Sequence, residues 1–338
     1  MPPGRDALRY AERLSVAPMM DWTDRHCRYL HRLLSRETLL YTEMVTAPAL
    51  VKGGARHLLR FDPVEQPVAL QLGGSDPHEL AQAAAMAAED GYGEVNLNVG
   101  CPSDRVQSGC FGAVLMKDPP LVADCVSAMA EAAPSAEITV KCRIGVDDQV
   151  PAEVLPRFLE TLRSAGVQRV IVHARMAWLQ GLSPKENRDV PPLDYALVLR
   201  MKTAFPDLHL SINGGVGSLD EAEAFLAQGM DGVMIGRAAY HSPTEILQHA
   251  DARIFGGAPG PEPEAVARAM IPYIDAHLAE GGRVHSVTRH MLGLFAGKPG
   301  ARAWRRHLST AASRPGAGAE IVTEALDLVA GAAQLAAE

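Results

Sequence analysis

Polar side chains stand where the short apolar runs of this sequence end, and their chemical types suit ligand binding. The members of this set are Glu43, Gln71, Asn96, Asn98, Lys141, His173 and Asn213. Carboxylate, amide, amine and imidazole groups that converge at one edge of a sheet can hydrogen-bond an extended polar ligand. Their positions therefore predict one binding pocket, provided that the runs are strands whose ends meet.

The sharpest local motif is NVGCPS at 98–103, which places a cysteine in a tight turn. Gly100 permits the bend and Pro102 fixes the backbone, so we expect the sulfur of Cys101 to face the mouth of the pocket. A free thiol has a pKa of about 8.5, so it is protonated at neutral pH and can donate a proton. The other four cysteines show no CxxC spacing, and we expect buried thiols with no disulfide and no metal site.

Glycines follow the last two apolar runs directly. Asn213, Gly214 and Gly215 come after the seventh run, and Gly236 and Arg237 come after the eighth. In barrels of alternating strands and helices, backbone N–H groups at these two places commonly bind phosphate. Tight turns alone would also explain the glycines, but the presence of both motifs favours a phosphate site.

Lys141 stands between the apolar residues Val140 and Cys142, which indicates a buried strand rather than a surface lysine. Two roles remain open for its amine. It could form a Schiff base with a carbonyl substrate, or it could hold an anionic or electron-rich ring. His173 is a candidate phosphate ligand through its position at a strand end alone.

Eight β-type runs alternate with helical stretches. The runs are 14–19, 39–43, 68–72, 94–98, 138–142, 169–173, 208–213 and 232–235. The stretch 77–90 is predicted as a helix that Asp76 caps and Gly91 ends. This alternation predicts an α/β fold, a (β/α)8 TIM barrel with a parallel sheet. An open doubly wound sheet is the alternative, but no glycine fingerprint follows the first run.

The sequence changes character after the eighth run. A segment rich in Gly and Pro covers 255–261, and the apolar residues Val284, Val287, Met291, Leu294 and Phe295 beyond it have helical spacing. We therefore predict a barrel domain over 1–254, a linker over 255–261 and a small helical domain over 262–338.

The net charge is −8, from 32 Lys and Arg against 40 Asp and Glu, but the charges are unevenly distributed. From Arg283 to Arg314 there are seven Lys or Arg and no acid, so the rest of the chain carries −15. Arg302, Arg305 and Arg306 share one face of a helix by spacing. A solvated helix face normally mixes both signs, so this face is predicted to bind a nucleic-acid backbone.

No apolar run approaches the length of about 18 residues that a membrane span needs. The first residues lack an apolar core, so no signal peptide is expected. The odd number of cysteines also suits a reducing compartment. The sequence therefore predicts a cytoplasmic protein with no membrane partner.

Eight segments in colinear order resemble the tRNA-dihydrouridine synthases. They are APMMDWTDRHCRYL (17–30), LLYTEMV (39–45), PVALQLGGSDP (67–77), EVNLNVGCPSDRVQSGCFGA (94–113), VKCRIGVDD (140–148), VIVHARMAWLQGLSPKENR (170–188), SINGGV (211–216) and DGVMIGRAAY (231–240). The AWLQGLSPKENR loop resembles the A subfamily, and LGLFAGKPGARAWRRHL (292–308) extends the resemblance into the helical region. The resemblance spans almost the whole chain.

This resemblance implies an FMN-dependent barrel that reduces the C5–C6 bond of uridines 20 and 20a in the tRNA D-loop. Hydride would pass from FMNH2 to C6, Cys101 would protonate C5, and NADPH would reduce the flavin again. The resemblance implies flavin contacts from Pro18, Met19, Met20, Gln71 and Lys141. It implies ribityl phosphate contacts from His173, Asn213, Gly214, Gly215, Gly236 and Arg237. It implies contacts to uracil and tRNA from Asn98, Lys185, Arg188, Arg302 and Arg305.

We expect tRNA as the partner and a monomer as the oligomeric state. Three other functions remain open. A flavoenzyme for a free pyrimidine would share the pocket but have no use for a basic helical region. An aldolase would form its Schiff base on Lys141, and a yellow purified protein would count against it. A non-catalytic tRNA-binding factor would keep its cellular effect after Cys101→Ala.

Overall fold

The structure, a computed structural model, describes residues 5–103 and 111–337. Eight parallel strands close into a barrel in the order β1 to β8. They are β1 Leu14–Val16, β2 Leu39–Thr46, β3 Val68–Gly73, β4 Glu94–Val99, β5 Glu137–Arg143, β6 Arg169–His173, β7 His209–Asn213 and β8 Gly232–Ile235. Strand β1 pairs with β8 as well as with β2. The predicted (β/α)8 barrel is confirmed, and the open sheet is excluded.

Helices alternate with these strands and continue after them. They are Arg5–Ala11, Arg25–Leu34, Ala47–Val51, Pro77–Glu89, Pro119–Ala132, Pro151–Ser164, Tyr195–Ala204, Leu219–Ala227, Arg237–His241, His249–Ile254, Pro263–Ala279, Val284–Thr288, Ala301–Ala311 and Glu320–Ala337. The predicted cap is present, since the carboxylate of Asp76 accepts from the Glu79 N–H at 3.0 Å. Of the helices in the described ranges, none has the length and apolarity to cross a membrane.

The described chain forms two compact units. The first contains the barrel strands and runs over residues up to Met20, Leu39–Val216 and Asp220–Gly236. The second contains Asp21–Thr38, Gly217–Leu219 and the chain from Arg237 onward. Helix Arg25–Leu34 belongs to the second unit, where the Ser35 hydroxyl donates to the Asp251 carboxylate at 2.6 Å. These bounds differ from the sequence-based division at 254 and 262, which stays a prediction about functional domains.

The barrel interior carries polar residues at every second position of β4 and β5. Side chains alternate between the two faces of a strand, so Asn96 and Asn98 share one face with each other, as do Thr139 and Lys141. The residues between them, such as Val140, are fully buried and face the surrounding helices. A polar interior thus lies inside an apolar outer layer, and it positions the polar groups at the carboxyl ends of the strands.

The apolar residues with helical spacing in the second unit lie on and beside two short helical elements. All five apolar residues from Val284 to Phe295 are buried, but they do not form one helix. Helix Val284–Thr288 ends, and a 3-10 turn follows over Met291–Gly293. The turn needs glycine at 293, because a Cβ there would lie 2.5 Å from the His241 carbonyl oxygen.

Candidate active site

The polar residues predicted from strand ends lie next to one another around one end of the barrel. Asn98 stands beside Lys141 in the pairing of β4 with β5, and Arg143 stands beside His173 in that of β5 with β6. His173 in turn pairs with Asn213 on β7. The structure thus brings these groups together, as the sequence predicted. Gln71 and Lys141 lie two residues before the ends of β3 and β5 rather than at them.

Cys101 lies on the loop after β4, and Asn98 holds it there. The side-chain Oδ1 of Asn98 accepts from the backbone N–H groups of Gly100 and Cys101, each at 3.0 Å. The thiol of Cys101 is partly exposed, and it lies 3.6 Å from the Ser103 hydroxyl. Cys27, Cys125 and Cys142 are fully buried free thiols. The expectation of buried thiols is therefore confirmed for these three, and Cys110 lies outside the described residues.

Positive charge gathers around Lys141 and His173. Burial and the neighbouring Arg143 guanidinium lower the pKa of Lys141 to about 8. Burial and the charges of Arg143 and Lys141 hold the pKa of His173 well below its usual range. His173 is therefore a neutral imidazole at physiological pH, so it can bind a ligand through hydrogen bonds without adding a positive charge.

Gly214 and Gly215 form a turn that admits no side chain. Their φ values are 107° and 75°, in the left-handed region. A Cβ on Gly214 would lie 2.7 Å from Nε2 of His173, and one on Gly215 would lie 2.7 Å from the Tyr195 hydroxyl oxygen. Glycine at both positions leaves bare backbone beside His173, which is the surface an anion can approach.

The other predicted flavin contacts of the first unit differ in exposure. Strand β1 ends at Val16 rather than at Met19 as predicted, because after Ala17 the backbone no longer pairs. Met19 packs partly buried against the interior apolar cluster, and its sulfur would lie 3.6 Å from a Cβ on Gly236. Pro18 is half-buried and Met20 is 54% exposed.

Arg143 is a residue of this site that the sequence analysis missed. Its buried guanidinium donates from Nε to the Gly100 carbonyl at 3.1 Å and from Nη1 to the Asn187 carbonyl at 2.9 Å. Nη1 also donates to the Met176 carbonyl at 3.2 Å. Arg143 therefore fastens the loop of Cys101 to the loop after β6. Strand alternation would have revealed it, since it lies two residues after Lys141.

The loop after β6 carries Lys185 and Arg188, and both are exposed. The side chain of Asn187 between them is fully buried, accepting from the Trp178 N–H at 2.7 Å and donating to the Trp178 carbonyl at 2.9 Å. The loop is thus organised from within, while the two cations face solvent.

The second unit contains the remaining candidates. Arg237 begins the helix Arg237–His241. Arg302, Arg305 and Arg306 are all exposed on helix Ala301–Ala311, whose opposite face buries Trp304 and Leu308. The exposed cationic face predicted from the spacing is therefore confirmed as a feature of the structure. Its role in binding stays a prediction.

The structure defines the class of the protein as a barrel enzyme, whose reactions take place at the carboxyl ends of the strands. That end of this barrel carries a thiol, an amine, amides and a bare glycine turn. The helical unit that continues from the barrel carries an exposed basic face.

Comparison with known proteins identifies the family within this class. The family model described as Dihydrouridine synthase matches residues 15–330. The tRNA-dihydrouridine(20/20a) synthase of Escherichia coli strain K12 is 56% identical over 330 residues, which cover 97% of this chain and 94% of that protein. The Vibrio parahaemolyticus protein of the same name is 55% identical, with 94% of this chain and 97% of that protein covered. The chain belongs to the dihydrouridine synthase family.

Solved structures agree on the fold. An old yellow enzyme homologue from Zymomonas mobilis superposes with a TM-score of 0.52 at 12% identity, covering 74% of this chain and 90% of that one. Morphinone reductase gives a TM-score of 0.50 at 12% identity, covering 75% and 88%. At this level of identity the likeness concerns the barrel alone.

Proposed function

We propose that this protein reduces the C5–C6 bond of uridines 20 and 20a in the tRNA D-loop, with FMN as cofactor and NADPH as reductant. The relatives of 55–56% identity supply the substrate class through their names. The single observation that carries the reaction is the partly exposed Cys101 thiol, which Asn98 fixes on a loop beside Lys141. The proposal includes a monomer that acts in the cytoplasm.

The residues around the carboxyl ends of the barrel strands, called the rim here, fit FMN. The turn of Gly214 and Gly215, with His173 behind it, offers bare backbone for the ribityl phosphate, together with Asn213, Gly236 and Arg237. Lys141 and Gln71 suit the ring edge, where a positive charge stabilises an electron-rich reduced ring. Pro18, Met19 and Met20 supply apolar surface for the ring. When bound and reduced, FMN supplies the hydride that uridine C6 accepts.

Cys101 completes the reduction by protonating C5. The C5–C6 double bond then gains one hydride and one proton, which balances the two-electron reduction. Asn98 orients the uracil, and Lys185 and Arg188 bind the base and nearby backbone from the loop after β6. Arg302 and Arg305 bind the tRNA backbone from the helical unit. The target base must leave its stack to bring C5 and C6 to the flavin and to Cys101.

FMN affinity is expected to fall as pH rises from about 7 to 9, because Lys141 loses its proton near its pKa of about 8. The FMN phosphate keeps a constant charge in this window, since its second pKa is about 6. Fluorescence titration of flavin-free protein at several pH values measures the effect. Lys141→Met should remove most of the dependence, while Lys52→Met, at an exposed lysine, should keep it. An equal pH dependence in Lys141→Met would contradict the role of this amine.

Binding of tRNA is expected to weaken steeply with salt, because Arg302 and Arg305 release counterions from phosphates. The double variant Arg302→Ala/Arg305→Ala should reduce the slope of log affinity against log salt by about two. Filter binding at four salt concentrations measures the slope. The matched control is Arg157→Ala/Arg200→Ala, which removes two exposed charges from barrel helices. Equal slopes in the two double variants would refute the basic face as the tRNA contact.

The proposed function as a whole is tested by incubating unmodified tRNA with the protein, FMN and NADPH. Dihydrouridine at position 20 or 20a is the expected product. Its absence with active, flavin-loaded protein would contradict the proposal.

A further inference from the structure

A continuous chain of side-chain hydrogen bonds runs through the barrel interior below the site. It begins at Glu94, the first residue of β4, whose Oε1 accepts from the Thr139 hydroxyl at 2.6 Å. Thr139 Oγ1 in turn accepts from Nδ2 of Asn96 at 2.8 Å. Oδ1 of Asn96 accepts from Nε2 of Gln71 at 2.8 Å. The chain thus reaches a residue of the proposed flavin site.

The chain continues from Gln71 to the loop of Cys101. Oε1 of Gln71 accepts from Nδ2 of Asn98 at 2.8 Å. Oδ1 of Asn98 then accepts from the backbone N–H groups of Gly100 and Cys101. Every donor along the chain points away from Cys101 and toward Glu94, so the hydrogen bonds all run in one direction.

The carboxylate of Glu94 fixes this direction at its end. Its two oxygens accept from Nη1 of Arg169 at 3.0 and 2.9 Å, and the Tyr41 hydroxyl also donates to Oε1. A guanidinium has no acceptor, so both carboxylate oxygens that face it must accept. Thr139 donates its one hydroxyl hydrogen to Glu94. The hydroxyl oxygen of Thr139 can therefore only accept from the Asn96 N–H.

The same direction is imposed at the other end. The backbone N–H groups of Gly100 and Cys101 can only donate, so Asn98 must turn its oxygen toward them and its nitrogen toward Gln71. A reversed amide anywhere in between would place two donors or two acceptors face to face. Both ends therefore require one orientation of all three amides.

Burial makes this orientation costly to lose. Glu94, Asn96 and Thr139 are fully buried, and Gln71 is 1% exposed. An unpaired donor in such surroundings loses its water without compensation, and bonds in a chain polarise one another in a low dielectric. Cutting the chain at one link should therefore weaken the links on either side.

We propose that Thr139 and Glu94 are positioning residues that hold the Cys101 loop through the amides of Asn96, Gln71 and Asn98. Neither residue touches the rim. The chain also leaves one N–H each on Gln71 and Asn98 for a ligand, so both side chains present donors there. They suit carbonyl oxygens, those of the proposed flavin ring for Gln71 and those of the uracil for Asn98. The effect on turnover rests on the proposed function, whereas the effect on the loop does not.

Four variants separate the effect of the hydrogen-bond chain from that of the packing around it. Thr139→Val removes the hydroxyl at nearly constant volume and cuts the chain, while Thr139→Ser restores the hydroxyl. Tyr41→Phe is the matched control, since it removes another hydrogen bond to the same oxygen of Glu94 without lying in the chain. Asn96→Leu cuts the next link and serves as a second test should Thr139→Val fold poorly.

Two measurements on purified protein decide the outcome. Iodoacetamide labelling with peptide mapping gives the alkylation rate of Cys101, and dihydrouridine formation gives turnover. Thr139→Val should raise alkylation about fivefold and lower turnover by a similar factor, because one hydrogen bond contributes about that much. Thr139→Ser and Tyr41→Phe should stay within about twofold of the wild type in both.

Two results would overturn the inference: wild-type alkylation in both Thr139→Val and Asn96→Leu, or an effect of Tyr41→Phe as large as that of Thr139→Val. Suppose that the wild type makes no dihydrouridine, yet Thr139→Val is alkylated faster than the wild type. This result would refute the proposed function and support the positioning role of the hydrogen-bond chain.

Discussion

Cys101→Ala is expected to lower dihydrouridine formation by at least about a hundredfold, the usual contribution of a positioned proton donor. The alanine removes the only proton source that the proposal assigns to uridine C5. FMN and tRNA binding should remain, because Asn98 holds this loop through backbone N–H groups that alanine retains. Single-turnover assays with tRNA lacking the modification measure the rate, and flavin absorbance measures the bound FMN.

Cys125→Ala is the matched control for Cys101→Ala. It removes a fully buried thiol from helix Pro119–Ala132, where burial raises the pKa to about 12. This thiol is not a proton donor in the proposed reaction, so turnover should stay near that of the wild type. Unchanged turnover in Cys101→Ala would remove this cysteine from the mechanism.

Gly214→Ala is expected to weaken FMN binding by about tenfold to a hundredfold, the usual range for a forced fit of one extra carbon. The new Cβ would lie 2.7 Å from Nε2 of His173 and 3.3 Å from Leu193. His173 would have to leave its place beside the turn, and the surface proposed for the phosphate would be lost. Fluorescence titration of flavin-free protein measures the dissociation constant.

Gly229→Ala separates this steric effect from backbone strain. Gly229 also has a positive φ, 95°, but nothing lies within 4 Å of its Cβ position. Both variants should lose about 1 kcal/mol of stability from placing alanine in the left-handed region, and Gly214→Ala should lose more because its Cβ would crowd His173. Only Gly214→Ala should lose FMN affinity. Equal FMN affinity in the two variants would argue against the glycine turn as the phosphate site.

The sequence predicted the barrel well because its local signals agree with one another. The strands are short apolar runs that alternate with helical stretches, and all eight runs became strands. The errors in the predicted strands concern the residues at which they end. Strand β2 continues to Thr46 because an irregularity between Tyr41 and Met44 shifts its register against β3 and lets pairing resume. A local pattern carries no information about such a shift.

A residue of the site could be predicted only where its position within its own strand is enough to place its side chain at the site. Asn98, Lys141 and His173 met at the rim because strand ends meet in any such barrel. The partnership of Glu94 with Arg169 joins residues 75 positions apart, and it depends on barrel closure. The place of Arg143 could have been predicted from strand alternation with Lys141, but its partners could not, since they are backbone carbonyls on two different loops.

The most direct test of the account is mass spectrometry of the D-loop from tRNA that lacks dihydrouridine. The tRNA is incubated with wild-type protein or Cys101→Ala, FMN and NADPH, then cut into oligonucleotides. We predict that uridines 20 and 20a each gain two hydrogens with the wild type, and that this gain falls at least about a hundredfold with Cys101→Ala. Reduction at other uridines only, or equal reduction by both proteins, would contradict it.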